Sequence, residues 1–436
     1  MSSTYLTRTP SSTGNRKTFT VSFWHKRGHL GNPNSHVTNI NTGNNPYARI
    51  YFQTDDTLMI EDYDGSLDTN LKTNRKFRDM SAWYHIVVAY DTTQSQAADR
   101  VKIYVNGVQE TSLATSTYPA QNFDTEYNKS GTALEIGRYS TNYLSGVFSH
   151  FHLTDGTAYD ASAFGETDST TGEWKIKTSP SVTYGTNGFF ILKDGNSVTD
   201  QSGNGNNWTV GGGTLTKTED NPSNVFATLN PLISVGSDSG NAQILSQGNL
   251  HVTGNQSSWC HSRGTFGASS GKWYWEVKLN GSTTGNLNIG VSNAGTNMFG
   301  GTVQSLSGNT SIYGDGQYNI NGSITGSQSP TFSSGDICGV ALNMDNNTVS
   351  FYKNGTILSW GTDLAISGGT DDVWLPASAV YSTSESLDFN FGNGYFGTTA
   401  VSSNSGNGYS ATGSLGIFQY QPPTGYTAIC TKGLNL

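Results

Sequence analysis

The sequence predicts an all-β chain built as two tandem antiparallel β-sandwiches, and three observations predict it. Short runs alternate apolar and polar residues with a period of two. Turn-forming residues fill the intervals between them. No long stretch repeats apolar residues at spacings of three and four. Gly accounts for 53 of 436 residues and charged residues for only 13%, against a usual ~7% and ~25%, so helix formers are scarce. Aromatics make up 11%, enough to fill cores, which argues against disorder. The length of 436 residues suits two β domains of roughly 200–250 residues.

The elements follow in order. Residues 19–24 (FTVSFW) place Phe19, Val21 and Phe23 on one face. Residues 83–90 (WYHIVVAY) form an apolar run of strand length, and 101–105 (VKIYV) alternate again. The same holds for 273–279, 337–342, 349–352 and 387–391. One hairpin signature occurs twice, IYVNGV at 103–108 and FYKNGT at 351–356, after the lead-ins VAYD (88–91) and VALNMD (340–345). Asn-Gly suits the two positive-φ positions of a type I′ turn. The repetition implies one sandwich on each side of the turn-rich 202–214 and the proline-bearing 219–232. The boundary is therefore set near residue 230, giving domains 1–230 and 231–436, with 181–230 assigned to the first. Low-complexity stretches at 305–311 and 402–415 are expected to be loops, because aromatic strands follow them.

Several function classes are excluded. A net charge of −9 speaks against a general nucleic-acid binder. No apolar run is long enough for a membrane helix, and the N-terminus lacks a basic-then-apolar leader, so no signal peptide is expected. Cys260, Cys338 and Cys430 are odd in number and lack CxxC spacing, which rules out a disulfide scaffold or a zinc knuckle. Cys338 sits in an apolar strand and reads as a small hydrophobe. Gly-rich 211–213 lacks the Lys-Ser/Thr that a phosphate loop requires.

A polysaccharide-cleaving enzyme would need two carboxylates ~5–9 Å apart, hence a Glu and a second acid at even spacing on a strand. The nearest candidates are Glu166/Asp168 in the turn-like GETDSTTG, and Glu61/Asp62/Asp64 at the turn DYDG. Neither meets the requirement, so no catalytic residue is expected. His150 and His152 are spaced to chelate a metal, but they alternate with Phe148, Phe151 and Leu153 as polar strand positions do. His85 has no Ser or Cys motif beside it and reads as a sheet residue. Sugar binding needs flat aromatic faces and planar amide or carboxylate groups, and the chain holds 9 Trp and 22 Tyr. Trp273 and Trp275 share one strand face and Tyr274 takes the other, so at least one face is expected to be buried. Loop positions are better candidates: Tyr313 and Tyr318 flank GDGQ with Asn319 and Asn321 beside them, and Trp360 follows the second hairpin. Tyr313, Tyr318, Asn321 and Trp360 are the expected ligand contacts.

GKWYWEVKL (271–279), NIGVSNAG (288–295), YGDGQYNING (313–322), SGDICGVALNMDNNTVSFYKNGTIL (334–358) and WLPASAVY (374–381) together resemble a SPRY domain in order and spacing. That resemblance implies a bent β-sandwich whose loops at one end recognise partners without catalysis. FTVSFWHKRG (19–28), the strand at 83–88, KIYVNG (102–107), LEIGRY (134–139) and GVFSHFHLTDG (146–156) resemble a laminin-G-like, concanavalin-A-like jelly roll. DQSGNGNNWT (200–209) is similar to an element that usually stands near the start of such domains; here it comes last. Many laminin-G-like domains hold calcium at the rim through an Asp. The loop acids Asp124, Asp155 and Asp160 show no DxDxDG-type spacing, so no cofactor is expected and the metal assignment stays open.

The pairing of the two modules, joined by FATLNPL and closed by FQYQPPTGYTAICTKGL (418–434), resembles bacteriophage virion proteins of the tail- or head-fibre kind. The resemblance implies a non-enzymatic virion surface protein, assembled in the host cytoplasm. It would bind a host cell-surface glycan or protein and other virion proteins, without nucleic acid or membrane insertion. A homotrimer is the state that phage fibres often adopt; no heptad seam is present, so it would form through β surfaces. A capsid-decoration or head-fibre role, docking through TYLTRTPSSTGNRKTFT, is the alternative. A polysaccharide-degrading enzyme is the third reading.

Overall fold

The computed structural model describes residues 3–31, 35–40, 45–193, 195, 197–233, 235–236, 243–255, 257–281, 284–296, 307–401 and 415–434. Residues 305–306 and 402–414 of the expected loops lie outside this set. The chain divides into two compact units, Met1–Lys217 and Thr218–Leu436. Both are antiparallel β-sandwiches, and every alternating run named above lies in a strand, except that the strand at 387–391 ends at Asn390.

In the first unit, an eight-stranded sheet runs in the order Leu113–Thr117, Leu67–Lys76, Thr57–Tyr63, Tyr47–Phe52, Ser35–Ile40, Leu134–Ile136, Tyr5–Arg8 and Thr209–Gly212. A six-stranded sheet faces it, in the order Phe189–Ile191, Gly146–Asp155, Thr18–Arg27, Trp83–Asp91, Val101–Val105 and Val108–Gln109. The period of two assigns the faces. Phe19, Val21, Phe23, Ile50, Phe52, Ile60 and Val88 all point inward and are fully buried in one core. The outward row of the larger sheet is read from the cross-strand register as Thr117, Asn70, Glu61, Arg49, Asn39, Glu135, Thr7 and Thr209.

The segment around DQSGNGNNWT closes this unit. Thr209–Gly212 pairs with Tyr5–Arg8 at one sheet's edge, and Phe189–Ile191 pairs with Gly146–Asp155 at the edge of the other. Trp208 inserts into the core edge-on to Phe189. Asp200 organises the loop by accepting from the backbone N–H groups of Phe190, Ser202 and Asn206. Residues 218–230, assigned from sequence to the first domain, instead pack in the second unit. Ala227 and Leu229 join its main core, and Phe226 joins Tyr274, Phe418 and Cys430. Proline content marks a break in periodicity; it does not reveal which core receives the apolar residues around it.

The second unit pairs a seven-stranded sheet with a nine-stranded one. Lys272–Asn280 is central in the latter, between Ile337–Asn343 and Ser386–Asn390. Trp273, Trp275, Val277 and Leu279 enter the core between the sheets. The opposite face, Tyr274 and Glu276, is buried as well, because the C-terminal segment crosses it. Thr427–Ala428 adds a parallel pairing to Lys272–Asn280, and Ala227 N–H donates to Ile429 O.

The repeated hairpin has one construction in both units. Asn106 and Gly107 have φ of 47° and 83°, and Asn354 and Gly355 have 49° and 80°, the mirror-turn conformation that Asn and Gly tolerate. In each case the Asn side chain accepts an N–H from the adjacent strand: His85 N–H at 2.8 Å for Asn106, Ile337 N–H at 2.9 Å for Asn354. The turn thereby fastens itself to a third strand.

Candidate functional site

Of the four expected contacts, the structure brings two together. Tyr318 lies in strand Tyr318–Ile320 and Trp360 in the short 3-10 turn Ser359–Gly361. Their rings stack with centroids 6.2 Å apart and planes at 20°. Both are half-buried, resting on the second core. The Trp360 indole N–H has no acceptor among the described residues. The pair therefore presents a rigid aromatic step, whose rotamers are already fixed by packing.

The other two have different roles. Tyr313 is the last residue of strand Asn309–Tyr313, only 2% exposed, with Trp259 edge-on to its ring at 5.8 Å. It offers no face to a ligand. Tyr-Gly-Asp-Gly reads as a loop, but the turn begins after Tyr313, whose carbonyl accepts from Gly316 N–H. Asn321 is exposed with φ 50°, and its Oδ1 accepts from Gly308 N–H at 2.9 Å; it closes a turn. Asn319, fully buried, lies on the strand face opposite Tyr318 and Ile320, which pack on the core. Sequence reading missed Trp259, which packs edge-on to both Tyr313 and Tyr381; no periodic pattern surrounds it that would flag it.

The acids do not assemble into a hydrolytic pair. Glu61 and Asp62, expected near a turn, belong to strand Thr57–Tyr63; only Asp64 sits in the turn. Alternation sends Glu61 outward and Asp62 into the core, where Tyr90 Oη–H donates to it at 3.2 Å. Burial raises Asp62 to about 7. Glu61 shares its outward row with Glu135, but three strand spacings separate them, ~14 Å, against the ~5–9.5 Å that glycoside cleavage uses. Glu166 is exposed and Asp168 half-buried, and both engage Lys175, at 3.4 and 3.3 Å.

Two of the three acids considered for calcium, Asp155 and Asp160, are occupied by N–H donors. Asp155 accepts from Asn15 N–H (2.6 Å), Asn187 N–H (2.9 Å) and the Asn128 amide (3.3 Å), a set that pins three segments and leaves no oxygen directed at a cation. Asp160 caps a 3-10 turn through Ser162 N–H, and Asp124 is exposed.

The histidines are structural. A bulge between Ser149 and His152 gives His150 a φ of 49°, and the His150 and His152 rings stand 6.5 Å apart. Among the described residues no three His, Cys, Asp or Glu side chains form a metal-binding group. Trp174 Nε1–H donates to His85 Nδ1 at 3.0 Å, which leaves Nε2 as the protonated nitrogen, 3.0 Å from Ser22 Oγ. Desolvation lowers His85 to about 3.

Comparison with known families agrees with this architecture. Residues 1–162 match the concanavalin A-like lectin/glucanases superfamily, and residues 272–394 match the SPRY domain. Among solved structures, the SPRY domain of human HERC1 is 20% identical, with a TM-score of 0.29, covering 37% of this chain and 96% of that one. The heptameric SAP-like pentraxin from Limulus polyphemus is 16% identical, with a TM-score of 0.27, covering 36% and 72%. The TRIM65 PSpry domain is 16% identical, with a TM-score of 0.29, covering 38% and 91%. No curated protein matches the chain. The chain carries a concanavalin A-like laminin-G-type domain followed by a SPRY domain.

Proposed function

We propose that this protein is a non-enzymatic adhesin of the bacteriophage tail-fibre type, whose surfaces bind a glycan or protein on the host cell. Laminin-G-like and SPRY domains are typically non-catalytic binding domains, and the acids described above are ion-paired, capped or isolated. The observation that carries the reading is the half-exposed Tyr318–Trp360 stack, a preformed aromatic surface on a rigid sandwich. The head-fibre alternative loses its motivating feature. Tyr5–Arg8 lies between two strands of the first sandwich, and Asn15 and Arg16 are bonded to Asp155 and Thr125, so the N-terminal stretch is part of that fold and not a docking arm.

Adsorption of the purified chain to candidate host cells and their extracted envelope polysaccharide tests the proposal. Tyr318→Ala and Trp360→Ala are each expected to weaken adsorption about 3- to 10-fold, the equivalent of ~0.5–1.5 kcal/mol for an aromatic contact. Absence of adsorption by the parent chain, with particles assembling normally, overturns it. Microscopy of the particle separates the two virion readings: density on the head and none on the tail favours the decoration role.

A further inference from the structure

We propose that residues 161–182 of the first unit form an acid-released flap: protonation of His85 breaks the hydrogen bond that ties the flap to the six-stranded sheet, and the flap lifts while both sheets stay folded. The device concerns the first unit alone and does not rest on the Tyr318–Trp360 surface.

The flap is a small layer on the outer side of that sheet. Ile86 and Val88 enter the core, so His85 and Val87 face away from it. Over them lie the 3-10 turn Ala161–Ala163 and the hairpin of Gly165–Thr167 with Trp174–Ile176. Internal bonds hold the flap together: Lys177 N–H donates to Phe164 O at 3.0 Å, and Lys177 Nζ to Ser162 O at 2.7 Å. Its flanks are fixed to the sandwich, by Tyr159 N–H to Thr20 Oγ1 at 2.7 Å and by Asp155 N–H to Tyr184 O at 2.8 Å. Between those flanks, among the described residues, one hydrogen bond reaches the sheet, from Trp174 Nε1–H to His85 Nδ1 at 3.0 Å. The remaining contact is apolar: Ala161 and Phe164 pack on Val87, with Trp174 and Val182 at the margin. So small a patch opens at lower cost than the core between the sheets.

Trp174 is seated as a latch. A β-carbon at Gly107 would lie 2.4 Å from its ring, and one at Gly165 2.5 Å, so the two glycines form a slot that any other side chain would close. Trp24 stacks on the His85 ring at 4.7 Å and 14°. An indole N–H can only donate, and His85 Nε2 already faces Ser22 Oγ at 3.0 Å. A second proton on His85 therefore enters at Nδ1, where it meets a donor that cannot become an acceptor. The bond is lost and a buried cation is left without a counter-ion.

The surroundings give that cation no relief. Thr18–Arg27 offers it Ser22 and Trp24, the 106–107 turn an amide, and the flap an indole. The titratable groups that act on it are histidines of Gly146–Asp155: His150 disfavours charge on both His85 and His152, and no carboxylate counters it. Tyr184 Oη meets His152 Nδ1 at 2.9 Å. On the flap, Glu166 and Asp168 are engaged with Lys175. The backbone here is also strained: His150 N–H donates at 3.0 Å to Leu192 O, and both residues have positive φ, 49° and 59°. Burial holds His85 at about 3 with the flap closed, against 6.5 when solvated. The open form thus binds a proton that the closed form refuses, and opening gains as the pH falls through 6.5. One such histidine raises the open-to-closed ratio about 25-fold between pH 7 and pH 5.

Amide hydrogen–deuterium exchange of the full chain at pH 7 and pH 5, corrected for the intrinsic pH dependence of exchange, tests this. Protection within 161–182 is expected to fall about 25-fold. Its urea dependence should stay well below that of the eight-stranded sheet, because local opening exposes little surface. His85→Gln keeps an acceptor for Trp174 and does not titrate, so its flap should change by less than about threefold between the two pH values. Trp174→Phe removes the donor, and its flap should exchange about 3- to 10-fold faster than the parent's at pH 7, with both sheets still protected. The inference is overturned if the parent flap keeps its protection at pH 5, or if flap and eight-stranded sheet lose protection together with one urea slope. It is equally overturned if His85→Gln retains the full response, or if Trp174→Phe leaves the flap as protected as in the parent.

Discussion

Lowering the pH from 7 to 5 is expected to destabilise the first sandwich by about 4 kcal/mol. Burial lowers His25, His36 and His85 to about 3 from an ordinary 6.5, and holds His152 well below it. A histidine depressed in the folded state leaves the unfolded chain binding more protons between the two values, so stability is present above 6.5 and lost as the pH falls. Each of the first three costs about 1.4 kcal/mol per pH unit in that window, or about 6 kcal/mol for the three by pH 5, and His152 acts in the same direction. Asp62 opposes them. Burial raises it to about 7, so it takes up its proton in the folded state as the pH falls and favours that state by roughly 2 kcal/mol more at pH 5 than at pH 7. The histidines win. A net loss of about 4 kcal/mol approaches the whole stability of a modest domain. Urea unfolding followed by Trp fluorescence between pH 7 and 5 checks it; a first transition that does not move contradicts the assignment. The contacts explain why protonation is resisted. Adding a proton at His85 Nδ1 would confront the Trp174 N–H already donating there, and His36 lies between the rings of Tyr51 and Tyr139 with the Arg49 charge close by.

Glu276→Ala should cost the second sandwich about 3–5 kcal/mol, the usual consequence of removing one partner from a buried charged network. The Glu276 carboxylate accepts from the backbone N–H groups of Gln419 and Tyr420, both at 2.7 Å, from the Asn390 amide at 3.2 Å and from Tyr274 Oη–H at 3.3 Å. Removing it strands buried donors and releases the C-terminal segment from the sheet's outer face. Limited proteolysis should then cut within 415–430 well before the parent chain is cleaved; unchanged protection would refute the role. Desolvation raises Glu276 to about 7 from 4.5, so its contribution is full below about 4.5 and declines as the pH rises to 7, by roughly 3 kcal/mol. Glu276→Gln removes that pH dependence and loses one backbone acceptor, and it should fall between parent and Ala variant in stability.

Tyr274 and Glu276 show where pattern reading stops. The alternation in WYWEVKL separated Trp273 and Trp275 from Tyr274 and required at least one of the two faces to be buried, because a strand's two faces follow from the chain itself. Whether the other face met water depended on residues 415–434, far away in sequence, and the cluster of Tyr274, Phe418 and Cys430 has no local signal. Glu61 and Tyr313 repeat the point. Each was read against a neighbouring turn motif, and pairing with adjacent strands decided its place.

Strand identity, the doubled Asn-Gly hairpin and the two-sandwich architecture were legible in the sequence, since period-two alternation and positive-φ turns are local consequences of backbone sterics and side-chain polarity. The partner of each strand, and hence which polar residues line up across a sheet, was settled only by tertiary structure. The row of Asn70, Glu61 and Arg49 and the stack of Tyr318 on Trp360 are made by cross-strand register and loop packing, and these depend on contacts between segments that no local spacing encodes.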